Sequence, residues 1–348
     1  MENNIMFVGI DVSKAKLDVA LLPIQEARKG PHKVVDNSPT GHQQLLSWLR
    51  SHALARTAGA AEASSLDSSV SLHSLIHVCM EATGTYADAI ATTLFEAGCT
   101  VSLVNPSQVH AFGQSQLKRT KTDKVDAALI ARFCSLNRPP AWKAPAPEVR
   151  ELQALARRLE ALQEMKQMEA NRLAAGVSCG IVRASLLDHI AYLENQIDDA
   201  QRQIKRHVKE HPALQEQAQL LESIPGIALT TASVLLAEWG DIHQYRGAKQ
   251  LAAHAGLVPR IRESGSSVRG KPQLCKIGSS RLRKCLYFPA ITALKYNPHI
   301  RALGERLKAR GKSPMLIIGA AMRKLLIIAY GVLKSGIPFD PNFKTQTC

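Results

Sequence analysis

Aromatic residues and paired cysteines are both scarce in this sequence. Phe, Trp and Tyr make up 5% of its 348 residues, and the seven cysteines include no Cys-x-x-Cys pair. An odd number of scattered cysteines argues against a disulfide framework and against a zinc site, and it favours a reducing compartment. Acidic residues are scarce in one region only, since residues 251–348 hold three Asp or Glu against eighteen Lys or Arg.

A membrane-length run without charge is also absent. The most apolar stretch, MLIIGAAMRKLLIIAYGVL, carries Arg323 and Lys324 near its centre, where a bilayer would penalise both charges. We therefore predict a buried helix and no membrane partner. The opening residues MENNIMFVGID have no cationic segment before a hydrophobic run, so we expect no secretory signal and a cytoplasmic location.

Positive charge is what the sequence has in excess. The formal net charge is +15, and residues 251–348 account for all of it. A basic region on an otherwise neutral chain is typical of nucleic-acid binding, with an anionic membrane surface as the alternative. The chain is longer than a domain with a single hydrophobic core usually is, so we expect two or three domains.

The order of predicted elements divides the chain into three regions. Residues 1–140 indicate a strand hairpin followed by alternating helices and strands, which is typical of an α/β domain. Residues 148–222 have the apolar spacing of two long helices, which predicts a helical hairpin that pairs with its own copy. Residues 223–348 begin with a helix, the turn IPGI and a second helix. This pattern is typical either of a helix-hairpin-helix-like phosphate-binding element or of two helices that merely pack together. An Ala- and Ser-rich segment at residues 55–74 indicates a loop insertion.

Two predicted apolar strands each end in an acidic residue. Asp11 ends MFVGID and Glu81 ends IHVCME, while Asp123 and Asp126 share one face of the helix begun by TKTDKVDAAL. Carboxylates at neighbouring strand ends, with two more on a nearby helix, indicate an RNase H-like site for divalent metal ions. Among 29 acidic residues such an order also arises by chance. Asp18, in the return strand LDVALL, is expected to face solvent rather than to bind metal.

The stretch RESGSSVRG holds three serines between Arg262 and Arg269. No His lies nearby to act as a base and no G-x-S-x-G elbow is present, which argues against hydrolase-type serine chemistry. A serine here could attack a phosphodiester if metal ions and the two arginines took the developing charge, but a solvated linker is an alternative.

Lys and Arg side chains lie near both candidate regions, beside the acidic pair and in the C-terminal third. Positive side chains in these places are expected to bind a nucleic-acid backbone. The predicted nucleic-acid contacts are Lys118, Arg119, Lys121, Arg262, Arg269, Lys276, Arg281, Arg283 and Lys284.

The motifs follow one another in an order that resembles one family. GIDVSKAKLDVA, MEATGTY, VNPSQ, KTDKVDA, IPGI, AGLVPR, ESGSSVRG and MRKLLIIAYGVLKSGIPFD span nearly the whole chain. They resemble the DEDD transposases of insertion-sequence family 110, which include RNA-guided bridge recombinases and Piv-type DNA invertases. The resemblance implies a RuvC-like (RNase H-like) N-terminal domain, an α-helical coiled-coil dimerisation arm and a mainly α-helical C-terminal transposase domain.

The same resemblance implies the chemistry. The metal-binding tetrad falls on Asp11, Glu81, Asp123 and Asp126, which would hold Mg²⁺ or Mn²⁺, and the nucleophile falls on Ser264, which would form a covalent phosphoserine link to DNA. A structured guide RNA would direct a homodimer or homotetramer to double-stranded donor and target DNA, in a bacterial cytoplasm and associated with the nucleoid when bound. The small share of aromatic residues suits an RNA-guided protein. In such a protein, base pairing with the guide RNA recognises the DNA sequence, and stacking of bases on aromatic side chains is not needed.

Two departures from the family pattern are the insertion at residues 55–74 and Ala228, which follows IPGI where the family usually has Gly. Two alternatives remain: a metal-only nuclease of the Holliday-junction type, in which Ser264 takes no part, and a non-catalytic nucleic-acid-binding protein. A covalent protein–DNA adduct would exclude the first, and retention of all four carboxylates argues against the second.

Overall fold

The computed structural model describes residues 5–23, 30–58, 75–82, 84–116, 122–260, 263–264, 268–269 and 273–343. The chain forms two compact units, Met1–Ala144 and Pro145–Cys348. Each unit has hydrophobic core clusters of its own.

The first unit is built on a mixed sheet. Its strands are β1 (Met6–Val12), β2 (Lys16–Leu21), β3 (His32–Asp36), β4 (Ile76–Glu81) and β5 (Thr100–Val104). They lie in the order β3-β2-β1-β4-β5, with β1, β4 and β5 parallel and β2 and β3 antiparallel to their neighbours. The helices of this unit are α1 (Pro39–Ala58), α2 (Thr85–Glu96), α3 (Pro106–Ser115) and α4 (Asp123–Asn137).

Alternation along β1 separates two helical layers. Ile10 packs with residues of α1 and α2 on one face of the sheet, and Phe7 packs with residues of α3 and α4 on the other. Because successive side chains point to opposite faces, Gly9 and Asp11 share the α4 face with Phe7. There α4 approaches so closely that a Cβ on Gly9 would lie 2.1 Å from the carbonyl oxygen of Ala127. Position 9 therefore has no room for a side chain.

The second unit is mainly helical. Its helices are α5 (Pro147–Ala174), α6 (Gly180–Glu210), α7 (Pro212–Glu222), α8 (Leu229–Trp239), α9 (Ala248–His254), α10 (Ser280–Tyr296), α11 (Pro298–Ala309) and α12 (Pro314–Ser335). Short strands β6 (Pro259–Arg260), β7 (Glu263–Ser264), β8 (Val268–Arg269) and β9 (Gln273–Leu274) lie between α9 and α10. One buried cluster contains residues from α5 through α12, so the helices predicted as a separate arm share their core with the residues that follow.

Most elements of the first unit match the sequence-based expectations, and the α/β first unit and helical second unit are confirmed. The sequence pattern does not predict α9, α10, α11 or the short strands β6 to β9 of the second unit. Two elements of the first unit, β3 and α3, were not predicted. A signal for α3 is nevertheless present, because Pro106 lies in its first turn and the Asn105 side chain accepts a hydrogen bond from the N–H of Ser107. Of the predicted loop insertion, residues 55–58 belong to α1 and residues 59–74 lie outside the described residues.

Helix α12 is long and apolar enough to cross a membrane by length and composition. One of its faces, however, packs into the core of the second unit, where Ala321, Leu325 and Ala329 are fully buried. Arg323 donates a hydrogen bond at 3.3 Å to the carbonyl oxygen of Leu257. These contacts agree with the prediction of a buried C-terminal helix.

We predict that Gly9→Ala destabilises the first unit. The added methyl group meets the backbone of α4, which cannot move aside as a flexible side chain would, so we expect a loss of about 1–3 kcal/mol in the free energy of unfolding. The measurement is urea denaturation followed by circular dichroism. The control is Gly331→Ala in α12, where a Cβ meets no atom within 4 Å. Equal stability of the Gly9→Ala variant and the wild type would contradict the close approach of α4.

Candidate active site

Asp11 and Glu81 lie at the carboxyl ends of two neighbouring parallel strands. The register of β1 and β4 pairs Ile10 with Met80, so Asp11 and Glu81 are the next residues along their strands. Both are half-buried, and alternation directs both toward the face that α4 covers. The sheet therefore gives a structural basis for bringing these two predicted site residues together.

The first turn of α4 carries the other two predicted carboxylates. Thr122 caps this helix, because its hydroxyl oxygen accepts a hydrogen bond from the N–H of Val125 at 3.3 Å. Asp123 and Asp126 follow in the first turn, where the helix dipole favours negative charge. Asp126 is half-buried, and Asp123 is exposed.

The pKa of Asp11 responds to its burial and to the other carboxylates of this face. Burial raises the pKa of Asp11 above its usual value, and the negative charges of Asp123, Asp126 and Asp18 raise it further. A negative charge nearby disfavours the ionised form of a carboxyl group. Because α4 packs against Gly9, two residues before Asp11, the start of this helix lies near the end of β1, and the strand register places Glu81 beside Asp11.

Lys16 bridges two of the carboxylates. Its Nζ lies 2.7 Å from Oδ2 of Asp123 and 3.2 Å from Oδ2 of Asp18. Hydrogen bonds to Asp123 and Asp18 raise the pKa of Lys16, and the hydrogen bond from Lys16 lowers the pKa of Asp123. The described part of the chain holds no group of three or more His, Cys, Asp or Glu side chains already spaced as ligands of one metal ion.

The expectation that Asp18 faces solvent is wrong. Its side chain is only 7% exposed, and the register of β1 and β2 places it opposite Asp11. On its other side, Nε2 of His32 lies 3.3 Å from Oδ1 of Asp18, within ion-pair distance but outside hydrogen-bond geometry. The strand pattern could not reveal this burial, because α4 covers β2 as well as β1.

The donor set fits a divalent metal ion of the Mg²⁺ class. All the converging ligands are hard carboxylate oxygens, carried by strand ends and a helix start. A bound cation would also relieve the crowding of negative charge that raises the pKa of Asp11. The residues that would hold the ion are Asp11, Glu81, Asp123 and Asp126.

Ser264 lies in a short antiparallel ladder of the second unit. β7 pairs with β8 through Glu263 with Arg269 and through Ser264 with Val268. β6 and β9 form a second ladder that flanks the first along the chain. Within the stretch predicted to be either a linker or a phosphate cradle, residues 263–264 and 268–269 therefore form paired strands.

Several predicted contacts fall outside the described residues, and only the backbone of Ser264 and Arg269 is described. Those outside are Lys118, Arg119, Lys121 and Arg262, together with the neighbouring serines Ser266 and Ser267. Lys276 is described and is exposed at the surface of the second unit.

The basic residues at the start of α10 already have partners within the protein. Nε of Arg281 donates to Glu160 at 2.9 Å, and Nζ of Lys284 donates to Glu160 at 3.0 Å and to Glu164 at 2.5 Å. Arg283 donates to three backbone carbonyl oxygens, each at 3.1 Å. A count of charges along the sequence cannot show such pairing. A role for these residues at nucleic acid stays a prediction, and it would compete with these contacts.

The IPGI turn between α7 and α8 packs against α10. Ile224 and Ile227 are buried. Gly226 between them has a φ of 109°, and a Cβ at this position would lie 2.8 Å from the carbonyl oxygen of Pro289 in α10. These contacts favour the packing unit over a phosphate-binding turn. The helix-hairpin-helix interpretation remains a prediction.

Two family models match the chain. Residues 218–305 match the model described as Transposase IS116/IS110/IS902 family, and residues 59–178 match a DEDD transposase model of the IS110 type. The chain is 31% identical to the pilin gene-inverting protein of Moraxella bovis over 335 residues, which cover 96% of this chain and 97% of that protein. It is 29% identical over 233 residues to the transposase for insertion sequence element IS1328 of Yersinia enterocolitica, covering 58% of this chain and 66% of that protein.

The pKa of Asp11 is raised by its burial and, second, by the neighbouring carboxylates, which predicts that ionised Asp11 costs stability without metal. The ionised form is disfavoured in the folded protein, so the cost is full above the raised pKa and fades as the pH falls toward the usual Asp value of 3.8. We therefore expect Asp11→Asn to raise the melting temperature of the metal-free protein at pH 7, and this gain should shrink toward pH 4. Melting curves in EDTA across this range measure it. A gain that does not change with pH, or a loss at pH 7, would contradict the crowding of charge.

Proposed function

The chain belongs to the IS110-type family of DEDD transposases, whose substrate is DNA, and we propose that it is a site-specific recombinase that cuts and rejoins DNA strands. The observation that carries the proposal is the placement of Asp11 and Glu81 at adjacent strand ends, with the start of α4 and its Asp123 and Asp126 packed against the same face of the sheet. Such a cluster at the ends of buried strands is costly for folding alone, so its presence favours catalysis.

Members of this family typically use divalent metal ions, and Asp11, Glu81, Asp123 and Asp126 would hold Mg²⁺ or Mn²⁺ in this chain. The bound ion would supply stabilisation of the negative charge that develops on a phosphodiester. The protein's own contribution is to carry the four carboxylates on rigid elements, with two of them held at the capped start of α4.

Ser264 is the proposed nucleophile. Its Oγ would form a bond to phosphorus while the bond from phosphorus to a deoxyribose oxygen breaks. The proton lost by the serine hydroxyl would be balanced by the proton that the released sugar oxygen takes up to become a hydroxyl. The resulting phosphoserine diester keeps the bond energy, so a new strand can be joined by the reverse step. Arg262 and Arg269 flank the serine in sequence and would balance the charge on the phosphate.

A structured RNA is proposed as the guide for double-stranded donor and target DNA. The excess of positive charge in residues 251–348 supports contacts to nucleic-acid backbones. The small share of aromatic residues, 5% of the chain, supports readout by base pairing rather than by stacking on side chains.

Self-association through α5 and α6 is proposed for a homodimer or homotetramer. Its support is a group of exposed apolar side chains in the first half of α6, where Ile181 is 84% exposed and Val182, Leu187 and Tyr192 are also exposed. Apolar side chains so accessible are typical of surfaces that pair with another chain.

We predict that Asp126→Asn lowers strand cleavage roughly 100-fold or more, because it removes one charge from the metal-binding cluster. The assay is cleavage of labelled donor DNA in Mg²⁺ with the RNA transcribed beside the gene. The matched control is Asp36→Asn, which removes an exposed carboxylate at the end of β3 in the same unit. Cleavage at the wild-type rate by the Asp126→Asn variant would rule out this metal site.

We predict further that Ser264→Ala abolishes a covalent protein–DNA adduct. The assay incubates wild-type protein with labelled DNA and RNA, stops the reaction with SDS and separates the products on a denaturing gel. Ser266→Ala and Ser267→Ala are the controls, because these serines share the same stretch of sequence. An adduct that persists in Ser264→Ala refutes the assignment, and cleavage without any adduct in the wild type supports the metal-only nuclease instead.

A further inference from the structure

Lys16 is placed where two elements of the first unit meet. It is the first residue of β2, and its ammonium reaches across to the first turn of α4, where Nζ lies 2.7 Å from Oδ2 of Asp123. The same ammonium lies 3.2 Å from Oδ2 of Asp18. Residues 16 and 123 are 107 positions apart in sequence, so this contact depends on the packing of α4 against the sheet.

The two partners of Lys16 differ in their surroundings. Asp18 is buried on the strand, with a side chain 7% exposed, whereas the side chain of Asp123 is 55% exposed. Lys16 itself is 46% exposed. A flexible, well-hydrated ammonium at such an exposed position can leave Asp123 and return to water at little cost. Asp18 would remain as its partner on the same strand.

We propose that Lys16 is the internal counter-ion of the metal-free site, and that its ammonium must leave Asp123 before this carboxylate can bind a divalent metal ion. This inference rests on the metal site of the proposed function. An oxygen that accepts a hydrogen bond from an ammonium at 2.7 Å is not at the same time open to a metal ion. The positive charge would also repel an incoming cation at this short distance.

The inference has two consequences that can be measured without catalysis. Removing the charge of Lys16 should strengthen metal binding, because no ammonium competes for Asp123. It should also lower the melting temperature of the metal-free protein, because the negative charges then repel one another without a counter-ion. These charges are on Asp11, Asp18, Asp123 and Asp126. A lysine that serves only the local packing of β2 would produce the second effect without the first.

The experiment is a titration of the full-length protein with Mn²⁺, in which electron paramagnetic resonance detects the free ion. We expect Lys16→Met to lower the Kd for Mn²⁺ about threefold to tenfold relative to the wild type. Lys14→Met is the matched control, since it removes the same charge from the same turn at an exposed position. Lys16→Arg keeps the charge and should bind Mn²⁺ no more tightly than the wild type.

Thermal unfolding completes the test. In EDTA the melting temperature of Lys16→Met should fall below that of Lys14→Met, and saturating Mn²⁺ should raise it by more than it raises the wild type. An unchanged or higher Kd for Mn²⁺ in Lys16→Met would overturn the inference, provided that the wild type binds Mn²⁺ and Asp126→Asn does not. A wild type that binds no Mn²⁺ would instead overturn the proposed metal site.

Discussion

The contact between α4 and Gly9 of β1 determines where the candidate active site can form. A helix can lie this close to a strand only where the strand has no side chain, and the residues of α4 that face Gly9 are the small Ala127 and Ala131. Asp123 stands one helical turn before Ala127 and therefore follows the same stripe of the helix. Asp11 lies two positions beyond Gly9 on the same face of the sheet. The packing of one helix on one glycine thus brings the first turn of α4 to the end of β1.

The clustering of carboxylates at this site lowers the stability of the metal-free protein. Each carboxylate near Asp11 makes ionisation of Asp11 less favourable, and burial of Asp18 adds a further negative charge to the same face. Lys16 compensates part of this charge through its bridge between Asp18 and Asp123. The proposed metal ion would relieve repulsion that the metal-free protein must otherwise tolerate.

The sequence allowed much of the first unit to be predicted, because its strands are apolar runs that end in acids and the spacing of Asp123 and Asp126 belongs to one helix face. It could not show that α4 covers β2, and for this reason Asp18 was assigned to solvent. The bridge from Lys16 to Asp123 has no local signal either, because it joins residues distant in sequence. The same limit applies to α10, where Arg281 and Lys284 are paired with acids of α5. Residue type and spacing reveal groups that share an element, whereas pairing between elements depends on the packing itself.

The central claim is that the ends of β1 and β4 and the start of α4 form one metal-binding centre. A crystal structure of the protein grown with Mn²⁺, with anomalous difference maps at the manganese edge, measures this directly. The proposed site predicts manganese peaks within ligand distance of its carboxylates, with the ammonium of Lys16 withdrawn from Asp123; these carboxylates are Asp11, Glu81, Asp123 and Asp126. Manganese bound only elsewhere, with Lys16 still bridging Asp18 and Asp123, would contradict it.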